Sequence, residues 1–152
     1  MLYFAYGSNM SRAQMRERCP SHECLGTAVL PDYALCFPRS SPVRLCGVAG
    51  IEECEGGEVW GVVYRLTQHD LATLDRREGY DPAKPVHVNR YNRKTVRVLM
   101  GGGAVECITY MARAEPGRHV PSADYLAAII TGAEENGLPA DYVAGLRKIP
   151  AG

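Results

Sequence analysis

The sequence has no excess of charge of either sign. Its 17 acidic side chains balance its 17 basic ones. The basic residues are scattered, so there is neither the basic footprint of a nucleic-acid binder nor a basic amphipathic segment suited to a membrane surface. No apolar run approaches the length of a membrane span, and the amino terminus lacks a positive region followed by a cleavage site. The expectation is a soluble, cytoplasmic protein with no nucleic-acid partner and no membrane partner. Repeats, linkers and low-complexity stretches are absent too. At 152 residues the length suits one domain over residues 1–152 with a single core.

Metal-ligand spacing is also missing. Cys19, Cys24, Cys36, Cys46, Cys54 and Cys107 contain no Cys-x-x-Cys pair, and His22, His69, His87 and His119 are dispersed. Cys19 and Cys24 bracket Pro20-Ser21-His22, but no second ligand pair has the spacing of a zinc site. Free thiols are therefore expected, with Cys36, Cys46 and Cys107 filling a core from strand-like stretches. No cysteine stands out as a nucleophile.

What the chain does have is a succession of short apolar runs punctuated by turns. Residues 2–6 are apolar on both alternating faces and predict a central strand. Residues 10–19 predict a helix with Met15 inward and Arg12, Arg16 and Arg18 towards solvent, capped by Asn9 or Ser11 and ended by Pro20. Residues 28–37 and 46–51 read as strands, and Gly56-Gly57 as a turn into the strongest strand signal, residues 58–66. Thr67 opens a helix running to Arg77, with Asp70 three positions on, and Gly79 stops it. Residues 92–100 and 105–112 form a hairpin around Gly101-Gly102-Gly103. Helices follow from Pro121-Ser122 to Gly137, and over residues 140–147. Mostly non-local strands with a few helices argue for an α+β fold with a curved sheet or small barrel flanked by helices.

Two places carry chemistry. The strand at residues 2–6 runs into Gly7-Ser8-Asn9 and then a helix, which gathers backbone N–H groups around one point and suits an anion or oxyanion. In the helix begun at Thr67, Leu71 and Leu74 define an apolar stripe and Glu78 lies four positions beyond Leu74. That spacing buries its carboxylate while Asp75, Arg76 and Arg77 point elsewhere. A desolvated carboxylate has a raised pKa and can accept and return a proton within one cycle.

Tyr6-Gly7-Ser8-Asn9 after the Phe4-Ala5 strand resembles the amino-terminal signature of the γ-glutamylcyclotransferases. Leu74-Asp75-Arg76-Arg77-Glu78-Gly79 is similar to that family's Leu-Asp-x-x-Glu-Gly segment. Glu58-Val59-Trp60-Gly61-Val62-Val63-Tyr64 resembles its Val-Trp-Gly-Val-Val strand. Glu135-Asn136-Gly137-Leu138-Pro139 with Tyr142 resembles its carboxy-terminal stretch. The four occur in the family's order.

The resemblance implies a γ-glutamylcyclotransferase-like (AIG2-like) fold and a 5-oxoproline-forming lyase or acyltransferase of glutathione metabolism. Glu78 would be the catalytic acid/base, and Tyr6, Gly7, Ser8, Asn9, Tyr110 and Tyr125 would bind substrate. The substrate would be a γ-glutamyl compound such as a γ-glutamyl amino acid. γ-Glutamylamines, or a γ-glutamylated biosynthetic intermediate, remain open, as does a non-catalytic small-molecule-binding module. No cofactor, metal or covalent enzyme intermediate is called for, and a homodimer is compatible with the sequence. The loop after Glu78 is longer than in animal members of the family and reads as a lid and specificity element.

Overall fold

The computed structural model describes residues 1–152. Strand β1 (Leu2–Ala5) leads through a 3₁₀ turn (Ser8–Met10) to helix α1 (Arg12–Arg18). Two long strands, β2 (Glu23–Ser41) and β3 (Cys46–Arg65), form a hairpin, followed by α2 (Gln68–Glu78). A second hairpin, β4 (Tyr91–Met100) and β5 (Gly103–Ala112), precedes α3 (Ala123–Glu135) and α4 (Ala140–Arg147). The strands close into a barrel in the order β1-β3-β2-β4-β5. This is the α+β fold with a small barrel flanked by helices that the strand pattern predicts. No helix is long and apolar enough to cross a membrane.

β1 is central, as its two-faced apolarity predicted. It pairs antiparallel with β3 from Leu2↔Arg65 to Ala5↔Val62 and parallel with β5 at Tyr3↔Ile108. Gly61 permits the close approach of β3 to β1, because a Cβ there would lie 2.3 Å from the Ala5 carbonyl oxygen. Across the parallel seam the Thr109 hydroxyl donates to the Phe4 carbonyl at 2.8 Å. One core of 30 buried residues runs from Tyr3 to Leu146, so barrel and helices share it.

Two expectations are corrected here. Residues 46–65 are one strand, and the chain does not reverse at Gly56-Gly57. The irregularity is a bulge. The register jumps from Pro31↔Glu58 to Tyr33↔Glu53, Gly56 adopts φ +77°, and its N–H donates to the Asp32 carboxylate at 3.0 Å. Glycines that would end a short strand instead let a long one bend around the barrel. The other correction concerns the strand predicted over residues 28–37, which extends in both directions to Glu23–Ser41. Bulges at Cys24/Gly26, Pro31/Tyr33 and Cys36/Arg39 interrupt its alternation and hide its length.

The helix boundaries follow local chemistry. Ser11 caps α1 by accepting from the Gln14 N–H, Thr67 caps α2 at the Asp70 N–H, and Ser122 caps α3 at the Tyr125 N–H. Asp70 does not complete a capping box with Thr67; its carboxylate accepts from the Ser21 N–H at 2.9 Å. All six cysteines are free. Cys46 and Cys107 are buried as expected, whereas Cys36 is only half-buried.

Candidate active site

A cavity of about 100 Å³ opens where the amino-terminal turn, the end of α2 and the start of β4 converge. Glu78 lines it together with Tyr6, Gly7, Ser8, Asn9, Tyr110 and Tyr125, so every site residue expected from the sequence shares one pocket.

Glu78 is the last residue of α2. Gly79 follows in the left-handed conformation (φ +69°), its N–H closing onto the Arg76 and Asp75 carbonyls. A Cβ on Gly79 would also lie 2.3 Å from Nε of Arg90, so glycine both ends the helix and lets Arg90 into the cavity wall. Glu78 is half-buried and lines the cavity. Burial pushes its carboxyl above the usual carboxylate range, while Arg18, a hydrogen bond from Asn9, Arg90 and Arg44 pull it back without cancelling the rise. The carbonyl end of the α2 dipole also disfavours the anion. The result is an acid suited to proton transfer nearer neutrality.

Asn9 is locked in one orientation. Its Oδ1 accepts from Nε2 of Gln14 at 2.7 Å and from Nη1 of Arg18 at 3.0 Å. Its amide group must therefore donate to the Tyr3 hydroxyl at 2.9 Å and to Oε1 of Glu78 at 3.2 Å. Arg18 thus faces the cavity rather than solvent, contrary to the sequence expectation. It lies three residues beyond buried Met15, on the same helix face.

The turn itself is held from behind. The Met10 and Ser11 N–H groups donate to the Gly7 and Ser8 carbonyls at 3.1 and 3.0 Å. The first N–H groups of such a turn have no acceptor within it. Asn136 donates to the Met10 carbonyl at 2.8 Å, and the Tyr64 hydroxyl to the Asn9 carbonyl at 2.9 Å. Gly132 brings α3 onto the turn, because a Cβ there would sit 2.7 Å from Met10 and Ser11 backbone atoms. Gly7 is confined similarly, with a Cβ 3.3 Å from that of Ala49.

Asp75 corrects another expectation. It is buried and forms a bidentate ion pair with Arg93, and the Tyr110 hydroxyl donates to it at 2.5 Å. Its position four residues after Leu71 was the available signal. The Tyr110 hydroxyl is consequently occupied, leaving the ring to face the cavity. Tyr6 donates to the Tyr110 carbonyl at 2.5 Å. Tyr125 accepts from the Ala49 N–H at 3.0 Å, and burial raises its hydroxyl to about 12. Tyr91, which the sequence reading missed, donates to the Ala49 carbonyl at 2.6 Å. The tyrosines therefore shape the wall and hold the Ala49 peptide between them.

Also missed were the cavity arginines Arg18, Arg39, Arg44, Arg77 and Arg90. Arg39 is buried, paired with Glu115 at 2.9 Å, and donates to the Arg113 carbonyl at 3.1 Å. Residues 81–89 do not line the cavity; Arg90, at their end, does. Asn89 anchors this loop to Asp81 by hydrogen bonds of 3.1 and 3.2 Å.

A small closed barrel whose cavity sets a half-buried glutamate beside a turn of backbone donors defines a site for proton transfer next to a polar group held by that turn. A family model described as the AIG2-like family matches residues 58–146. The γ-glutamylcyclotransferase of Bos taurus is 35% identical over 155 residues, covering 97% of this chain and 78% of the relative. That of Homo sapiens is 35% identical over 153 residues with the same coverage. A solved structure described as a gamma-glutamyl cyclotransferase superposes with a TM-score of 0.89 at 33% identity, covering 100% of this chain and 89% of that one. The chain belongs to the AIG2-like, γ-glutamylcyclotransferase family.

Proposed function

We propose that the protein is a γ-glutamylcyclotransferase that converts a γ-glutamyl amino acid into 5-oxoproline and the free amino acid, in the cytoplasm and as part of glutathione metabolism. The observation that carries this reading is the placement of Glu78, desolvated and held by Asn9, beside the turn at residues 6–9.

In the proposed reaction Glu78 takes a proton from the substrate's α-ammonium. The freed amine attacks the γ-carbonyl and forms the ring C–N bond. Backbone N–H groups of Tyr6, Gly7, Ser8 and Asn9 hold the developing oxyanion, an interaction of a kind whose loss costs about 3 kcal/mol. The intermediate collapses by breaking the bond to the leaving amine, which receives the proton from Glu78. The regenerated carboxylate takes the second proton from the ring nitrogen and passes it to the released amine, which departs as the ammonium ion. Nucleophile and electrophile belong to one molecule, so the walls made by Tyr110 and Tyr125 contribute chiefly by holding it folded for attack. The small-molecule substrate is the only partner this scheme requires.

Incubation of the protein with a panel of γ-glutamyl compounds, with detection of 5-oxoproline, tests the reading. Release from γ-glutamyl amino acids supports it. Binding without release points to a non-catalytic module, and release only from γ-glutamylamines reassigns the substrate.

A further inference from the structure

The tip of the β2–β3 hairpin is built with inverted polarity. Val43 and Leu45 are 83% and 84% exposed, while Arg44 between them is half-buried and turned into the cavity. Leu45 adopts φ +59°, a conformation unfavourable for a residue with a Cβ. Two apolar side chains in water and a strained leucine are retained to point one guanidinium inward. Such local costs concentrate at functional sites. Arg44 lies 4.8 Å from the centre of the Tyr125 ring, with Nη2 donating to Gln14 at 3.0 Å and to Ser8 at 3.4 Å.

Arg44 has cationic neighbours without matching anions. Arg18 and Arg44 are joined through Asn9 and Gln14, and burial lowers the Arg18 pKa, with Glu78 opposing and the Arg44 and Arg77 charges adding to the fall. None of the three, nor Arg90, forms an ion pair with a carboxylate, and Arg77 and Arg90 make no side-chain hydrogen bond. Arg39 is neutralised by Glu115, and Glu78 is the only carboxylate in the lining. Counting Arg18, Arg44, Arg77 and Arg90 against Glu78 leaves a formal excess of three positive charges. A γ-glutamylamine carries no net charge, a γ-glutamyl neutral amino acid one negative charge, and a γ-glutamyl acidic amino acid two. Arg44 and Arg18 are hydrogen-bonded to Ser8 and Asn9, the turn where the γ-carbonyl would sit. They therefore flank the group attached to that carbonyl. Arg90 packs its guanidinium against Gly79, beside Glu78.

We propose that Arg18, Arg44 and Arg77 form a leaving-group subsite that reads two carboxylates, so that the preferred substrates are γ-glutamyl derivatives of acidic amino acids. This rests on the cyclotransferase reading above.

The test compares γ-glutamyl-glutamate, γ-glutamyl-alanine and γ-glutamyl-butylamine as substrates of the full chain. An additional carboxylate on an arginine pair is expected to raise kcat/KM for γ-glutamyl-glutamate about tenfold over γ-glutamyl-alanine, mainly through KM. Added salt should narrow the gap. Arg77→Gln should reduce kcat/KM for γ-glutamyl-glutamate far more than for γ-glutamyl-alanine. Equal kcat/KM for the two, or equal losses in Arg77→Gln, overturns the subsite. Calorimetric binding of both peptides to Glu78→Gln separates the two levels of the argument. Tighter binding of γ-glutamyl-glutamate without 5-oxoproline from the wild type sustains the subsite and rejects the chemistry. Turnover without a binding preference rejects the subsite alone.

Discussion

Glu78 combines two opposing demands. Burial favours its neutral form, whereas Asn9, Arg18, Arg44 and Arg90 favour the carboxylate. Replacing it by glutamine preserves shape but removes proton transfer, so kcat should fall by about 100-fold or more with substrate binding retained. Near-normal turnover in the mutant would remove Glu78 from its role. Stability gives a second readout. The folded carboxyl holds its proton more tightly than the unfolded one, whose pKa is about 4.3. Wild-type stability contributed by this group is thus full below that value and declines as pH rises through the folded pKa. Glu78→Gln has no such decline, so its melting temperature should exceed the wild type's at neutral pH and the two should converge on acidification. Asn9 provides a complementary test. Its hydrogen bond lowers the pKa of Glu78, so Asn9→Ala should move the acid limb of the kcat–pH profile to higher pH. An unmoved limb would show that Asn9 serves the turn and not the carboxylate.

At the scale of the element, α3 acts as a strut behind the amino-terminal turn. Gly132→Ala places a Cβ 2.7 Å from Met10 and Ser11 backbone atoms. Overpacking of this kind costs about 1–3 kcal/mol, and displacement of the turn should lower kcat/KM as well. Thermal melts and kinetics check both; a mutant with wild-type values would show that α3 can shift freely. This scale also separates what the sequence discloses from what it hides. Thr67, Ser122 and Gly79 act on groups within a few residues, and their roles were legible. The place of Glu78 at the cavity was legible too, because the helical stripe extends to it. Asp75 was equally accessible by spacing, but as an acid amid charged neighbours it resembled a solvated face. Its burial depends on Arg93 and Tyr110, contributed by β4 and β5. Arg44 was not legible at all. Nothing in Pro42-Val43-Arg44-Leu45 signals that the charged residue turns inward, because that follows from Ser8, Gln14 and Tyr125 far away in sequence.

For the whole molecule, barrel closure depends on the seam between β1 and β5. Thr109→Val keeps the shape but deprives the Phe4 carbonyl of the hydroxyl that donates to it. With both groups buried, a loss of about 1–3 kcal/mol is expected, measured by denaturant unfolding; an unchanged midpoint would mean that the seam draws nothing from this bond. The seam also orders events during synthesis. Residues 2–5 need residues 62–65 on one side and residue 108 on the other. An apolar strand made before both partners must wait, with one edge unpaired, until β5 has left the ribosome. Pairing so distant in sequence is slow, and an unpaired apolar edge is prone to aggregate. A nascent chain stalled before β5 therefore presents an unpaired apolar edge beside an incomplete cavity.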